Sequence, residues 1–189
     1  NIKNPFIKGM WEKNKFKLGE HITPMGAAFY IAPFVNAMVR SGTEEEKDLL
    51  FKSMLYNEAY QKIPSNKRGH KLGEEEYLVD QALRTCTNVK NRQTRAQDAG
   101  LEFLEDKIEK ENLLENKVLL FLLEPGQVDR NIAGLIANKF MAKYQRPCCI
   151  LTKVVDNDKV SYQGSARGYD KSGITNFKDI CAGCHTTMY

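Results

Sequence analysis

The sequence predicts an α/β chain in which a helical N-terminal half and a long connector helix precede a C-terminal α/β lobe with a mixed sheet. Three observations carry this expectation. From about residue 74 to 110 there is no proline and one glycine, Gly100, while Leu78, Ala82, Leu83 and Cys86, then Leu101, Leu104 and Ile108, recur at helical intervals. After Asn112 the texture changes to short apolar runs, 117–123 (KVLLFLL) and 148–154, separated by an amphipathic stretch with Ile132, Leu135, Ile136, Phe140 and Met141 on one side. Asn157-Asp158, shortly after the second run, turns the chain into a third strand at 159–162.

Taken in order, residues 1–23 mix aromatics (Phe6, Trp11, Phe16) with lysines in no clean period, and no regular element is assigned there. The apolar stretch 27–40 closes on Asn36 and Arg40. Thr43, with Glu46 three residues on, forms a capping box that starts a helix over 44–57. Residues 61–73 (QKIPSNKRGHKLG) read as a loop, which makes His70 a solvated histidine. The connector spans 74–112 as one long helix or two in succession. Along it Arg84, Lys90, Arg92 and Arg95 form a basic run without nearby acids, equally suited to a solvated face or to one that tracks phosphates. The run 117–123 reads as a strand buried on both faces, Asp129 caps the following helix, Pro147 stops it, and a short helix over 176–180 finishes the chain. The expected division is 1–73, 74–112 and 113–189.

Composition is that of an ordinary folded protein, 42% hydrophobic and 28% charged. No apolar run approaches the roughly 20 residues of a membrane helix, so no membrane partner is expected. Net charge is +4, only mildly favourable to phosphate backbones. Five cysteines, an odd number, argue for a reducing, cytoplasmic setting in which Cys148 and Cys149 are buried thiols. The first residue is Asn1 rather than methionine, and the start reads as a cut.

Three patterns bear on chemistry. Gly164-Ser165-Ala166-Arg167-Gly168 reads as a glycine-flanked turn whose backbone amides, hydroxyl and guanidinium suit a phosphate oxygen. Cys181-Ala182-Gly183-Cys184-His185 matches the spacing of covalent haem attachment, although no secretion signal or distal ligand supports haem; zinc would need a fourth ligand such as Cys86. The third pattern is an absence. His21, His70 and His185 are far apart and not flanked by aspartates, so a two-metal hydrolytic centre cannot be assembled from this chain, and no GxSxG nucleophile motif occurs.

The order of segments carries a resemblance. YIAPFVNAMVR (30–40) is similar to the "IAPRINAAGR" signature of RecJ-like exonucleases in the DHH phosphoesterase family, and NVKNRQ (88–93) to their "LNRERQ" connector. RNIAGLIA (130–137) with Arg146-Pro147 resembles "GVIGIVASRL" followed by "KP", GSAR (164–167) matches "GSAR", and Gly183-Cys184-His185 falls where the family has "GGH". Cys184 stands in place of the second glycine, and the arginine expected near Phe34 is absent. The resemblance implies a DHH-associated domain at 113–189 that closes over single-stranded nucleic acid, DNA before RNA. It implies manganese or magnesium in a catalytic domain outside this chain, and no cofactor within it. Carried over by position, Ser165 and Arg167 would hold a terminal phosphate and His185 would face the scissile group. Asn36 and Arg40 would lie near the substrate path, and Lys90 and Arg92 would track backbone phosphates. A free-standing binding or regulatory module docked on a partner nuclease, and a phosphoesterase lobe for small nucleotides, are the alternative readings.

Overall fold

The computed structural model describes residues 2–157, 159–174 and 177–178. Its elements bear out the α/β class, with helices first and a mixed three-stranded sheet towards the C-terminus. Two compact units divide at Thr94 and Arg95.

The first unit opens with helix α1 (Pro5–Leu18), where no element was expected. Its start signal is local: the Asn4 side chain accepts from Ile7 N, and Pro5 takes the first turn, where a missing N–H costs nothing. What hid the helix is its pattern, since only Pro5, Phe6, Met10 and Leu18 are buried and the remaining faces alternate lysines with aromatics. Helices α2 (Pro24–Tyr30) and α3 (Ala32–Ser41) divide the apolar stretch that follows. The capping box at Thr43 and Glu46 is formed, and α4 (Glu44–Met54) begins there as expected. It ends early because Leu55 is extended, leaving a single turn, α5 (Tyr56–Ala59).

The stretch read as a loop contains β1 (Lys62–Pro64), which pairs antiparallel with β2 (Glu75–Tyr77), residues expected to open the connector helix. A single continuous helix, α6 (Leu78–Lys110), then runs through Gly100, and its residues up to Thr94 belong to the first unit. Phe6, Met10, Ile31, Met38, Leu50, Val79, Leu83, Cys86 and Val89 form that unit's core. Burying each of the larger side chains contributes about 1.5–3 kcal/mol.

In the second unit β3 (Leu119–Leu123) pairs parallel with β4 (Cys148–Asp156), and β4 pairs antiparallel with β5 (Lys159–Arg167). Helix α7 (Arg130–Tyr144) connects β3 to β4, capped by the Asp129 side chain as expected. It covers one sheet face only. Leu119, Phe121 and Leu123 are therefore buried with Ile132, Ile136, Phe140 and Ile150, while Leu120 and Leu122 stay 46% and 48% exposed. The expectation of a strand buried on both faces is corrected. Asp156 pairs with Lys159 across the hairpin end, and Asn157 has the positive φ, 47°, that such tight turns require. The third strand does not stop at residue 162 but continues to Arg167. No described helix is long and apolar enough to cross a membrane.

Candidate functional site

The segment Gly164–Arg167 is not a bend. It is the second half of β5, in register with β4 from Cys148↔Arg167 to Leu151↔Gly164. The glycine is needed for close approach rather than for a turn: a Cβ at Gly164 would lie 1.9 Å from the Ile150 carbonyl oxygen. Strand alternation then sets the geometry. Gln163, Ser165 and Arg167 share the face that looks towards α7, the face on which their partners Thr152, Ile150 and Cys148 are buried.

Gly134 completes the arrangement from the helix side. A Cβ there would meet Arg167 Nη2 at 2.7 Å and Ser165 Oγ at 3.1 Å, so the missing side chain is what lets both polar groups lie against the helix. Arg167 donates through Nη1 to the Ala166 carbonyl at 2.7 Å. Among the described residues its guanidinium has no carboxylate partner. Arg130, in the first turn of α7, donates to Gln163 Oε1 at 2.5 Å.

A broad open cleft runs beside these groups, lined by Ser165, Gln163, Arg130, Asn131 and Thr152, with Phe177 and Lys178 at its edge. The helix end itself is occupied by an acid, since Asp129 Oδ1 accepts from Asn131 N at 2.9 Å. The donors left on this face are therefore the Ser165 hydroxyl and the two arginines rather than the amides of the helix terminus. Arg130 and Gln163 were not singled out from sequence. The available signal was that residues two apart on a strand share a face, which requires β5 to be recognised past residue 162.

In the first unit the structure separates the expected basic residues into engaged and unengaged groups. Arg92 donates to Glu46 Oε2 at 2.8 Å, to Glu46 Oε1 at 3.3 Å and to the Ser41 carbonyl at 2.9 Å. This hydrogen bond holds the Glu46 carboxyl below its ordinary pKa and raises that of Arg92. Arg84 is bound more completely: its two Nη atoms donate to Glu76 at 2.7 and 2.5 Å, and Nη2 to Asn66 Oδ1 at 2.5 Å. The basic run is thus not without acids, because folding brings Glu76 and Glu46 onto it. Lys90 has no described ion pair. Asn36 and Arg40 are exposed one turn apart on α3, and Arg92 bonds the residue after Arg40.

Burial pushes the thiols of Cys86 and Cys148 up to about 12, well away from a reactive thiolate, and Cys149 is also buried. No group of three potential metal ligands occurs among the described residues. Cys181, Cys184 and His185, and most of the helix expected over 176–180, lie outside the described residues.

No protein-family model matches the chain. Two curated relatives do. Over 177 residues, 94% of this chain, it is 33% identical to a protein of Bacillus subtilis provisionally named SPbeta prophage-derived single-strand DNA-specific exonuclease YorK. The same figures hold for the single-strand DNA-specific exonuclease yorK of Bacillus phage SPbeta, a name that is also provisional. The chain spans 30% of the length of these relatives.

Proposed function

We propose that this chain is the substrate-gripping part of a RecJ-like single-strand-specific exonuclease, and that its second unit is a DHH-associated domain. The observation that carries the reading is Ser165 in the wall of a cleft, with Arg167 two positions further along the same face of β5 and both side chains lying against Gly134. A hydroxyl and a carboxylate-free guanidinium, with Arg130 two side chains along, are donors matched to the oxygens of a terminal phosphate. The names of the relatives support the choice of single-stranded DNA as substrate.

Within this reading Lys90, Asn36 and Arg40 contact the strand away from its end, and the family resemblance alone assigns His185, outside the described residues, a role at the scissile phosphate. Arg92 is too fully engaged with Glu46 and Ser41 to track a phosphate without first giving up that pairing. By the family resemblance, manganese or magnesium would be held by residues outside this chain; the described residues offer no ligand cluster. The unbridged, buried thiols fit a reducing cytoplasm.

Arg167→Ala tests the grip. A charge-assisted hydrogen bond to phosphate contributes about 1.5–3 kcal/mol, so affinity for a 5′-phosphorylated strand should fall at least about tenfold. Affinity for the hydroxyl-ended strand should hardly change. Equal losses on both ends, or tighter binding of a cyclic dinucleotide than of either strand, would remove the proposed role.

A further inference from the structure

We infer that the corner formed by α1 and α2, in the first unit, is a second contact surface for single-stranded nucleic acid, holding bases by stacking and the backbone by lysines. The inference rests on the strand-binding reading above but uses none of its residues.

The corner presents aromatic rings and unpaired cations together. Lys15 Nζ lies 5.2 Å from the Trp11 ring centroid, and Lys17 Nζ lies 5.7 Å from that of Tyr30, bridging the two helices. Neither lysine has a carboxylate partner among the described residues. The Trp11 ring is fixed because its Nε1 donates to the Gly19 carbonyl at 3.1 Å. Phe16 is fully exposed and Phe29 is 68% exposed, so the same two helices also leave apolar ring area in water. Residues 2–31 hold five lysines and two glutamates, and one of the latter, Glu12, is already 4.0 Å from Lys8.

Exposed rings alone would also suit an apolar protein partner, and the charges decide between the two. Cores of protein interfaces are depleted in lysine, because an ammonium taken out of water without a partner is costly. Against a nucleic-acid strand the same ammonium meets a phosphate, while the ring beside it accepts any base on its π-face. Fixed rings with adjacent cations give sequence-tolerant binding along a strand, which is what an enzyme that consumes arbitrary sequence needs from a contact away from its reacting end.

Trp11 is the only tryptophan of the chain, so the surface reports on itself. Titrating the intact 189-residue chain with a hydroxyl-ended oligothymidylate should quench its tryptophan emission, and an abasic strand of equal length should bind more weakly and quench less. Phe29→Ala should lower affinity about fivefold or more. The double change Lys15→Ala, Lys17→Ala should reduce the slope of log affinity against log salt by about 1.4, or about 0.7 per lost contact. These side chains are exposed, and circular dichroism will show whether the fold is retained. Binding that leaves tryptophan emission, affinity and salt slope unchanged in these variants would overturn the inference and mark the corner as a protein-docking surface. The hydroxyl-ended strand keeps this result separate from the phosphate grip. If Arg167→Ala fails to distinguish strand ends while the quenching and slope behave as stated, the grip falls and this surface stands; the converse pair of results keeps the grip and removes this surface.

Discussion

A methyl group at position 134 has no room while Arg167 and Ser165 lie where they do, because the contacts would be 2.7 and 3.1 Å. The atom displaced first is the far end of a flexible arginine, so the backbone need not move. Gly134→Ala therefore separates stability from binding. Replacing a mid-helix glycine by alanine favours the helix by up to about 1 kcal/mol, so denaturant unfolding should show unchanged or slightly raised stability. At the same time the guanidinium is pushed off the helix, and preference for a 5′-phosphorylated over a hydroxyl-ended strand should fall several-fold. A variant that keeps full end preference would show that Arg167 acts from some other position. The serine-arginine pair itself was legible in the sequence through its resemblance to a family motif. Its setting was not, since glycines on either side read equally well as a bend, and only the pairing with β4 shows that Gly164 is there to pass the Ile150 carbonyl.

At the scale of elements, local signals were legible and distant partners were not. The capping box of α4 and the Asp129 cap of α7 lie within a few residues of sequence and appear where the sequence puts them, while the unbroken pattern of α6 marks a helix that starts four residues later than expected, at Leu78. The partners of Arg84 and Arg92 were missed: Glu76 is 8 residues from Arg84 but sits on a strand of the hairpin, while Asn66 is 18 residues and Glu46 46 residues away along the chain. Glu76 shows what such a partner does. Its carboxylate, with 2% of its side chain exposed, takes both Nη atoms of Arg84, Gln81 Nε2 at 3.1 Å and the Asn66 backbone N–H at 3.2 Å. It thereby ties the hairpin β1–β2 to α6. The Arg84 hydrogen bonds, chiefly, hold its pKa well below the usual carboxylate range, against the opposing effect of burial. A depressed folded-state pKa means that stability is fully present above the unfolded value of about 4.3 and is lost as pH falls through the folded one. Wild type should therefore lose stability steadily as pH falls below about 4.3. Glu76→Gln should flatten that dependence, and Glu76→Ala should cost about 3 kcal/mol at neutral pH by leaving Arg84 unpaired. Denaturant unfolding across that range checks both. A wild-type acid limb that survives in Glu76→Gln would assign it to other carboxylates.

For the molecule as a whole, the question is whether gripping and cutting reside in the same chain. Hydrolysis by two metal ions needs them about 3.5–4 Å apart, held by several carboxylates or imidazoles converging on one place. Several of the described acids are engaged otherwise: Glu76 and Glu46 on arginines, Glu105 on Lys143, Asp129 on a helix cap, Glu124 beside Lys153, and the described residues hold no group of three potential ligands. Strand binding makes no such demand, because it needs only cations and rings distributed over each unit. The 189-residue chain should therefore bind a labelled single strand, more weakly as salt rises because bound phosphates release counterions. It should leave that strand uncut in Mn²⁺ or Mg²⁺ at concentrations saturating for other two-metal nucleases. A native gel-shift series across salt reads the binding, and a denaturing gel of the same end-labelled strand reads the cutting. Shortening of the strand that needs added metal, co-purifies with the chain and disappears on substituting an acid of this sequence would place a catalytic centre here. Intact strand alongside salt-dependent binding would leave cutting to residues of a longer protein, as the 30% share of the curated relatives' length that this chain spans allows.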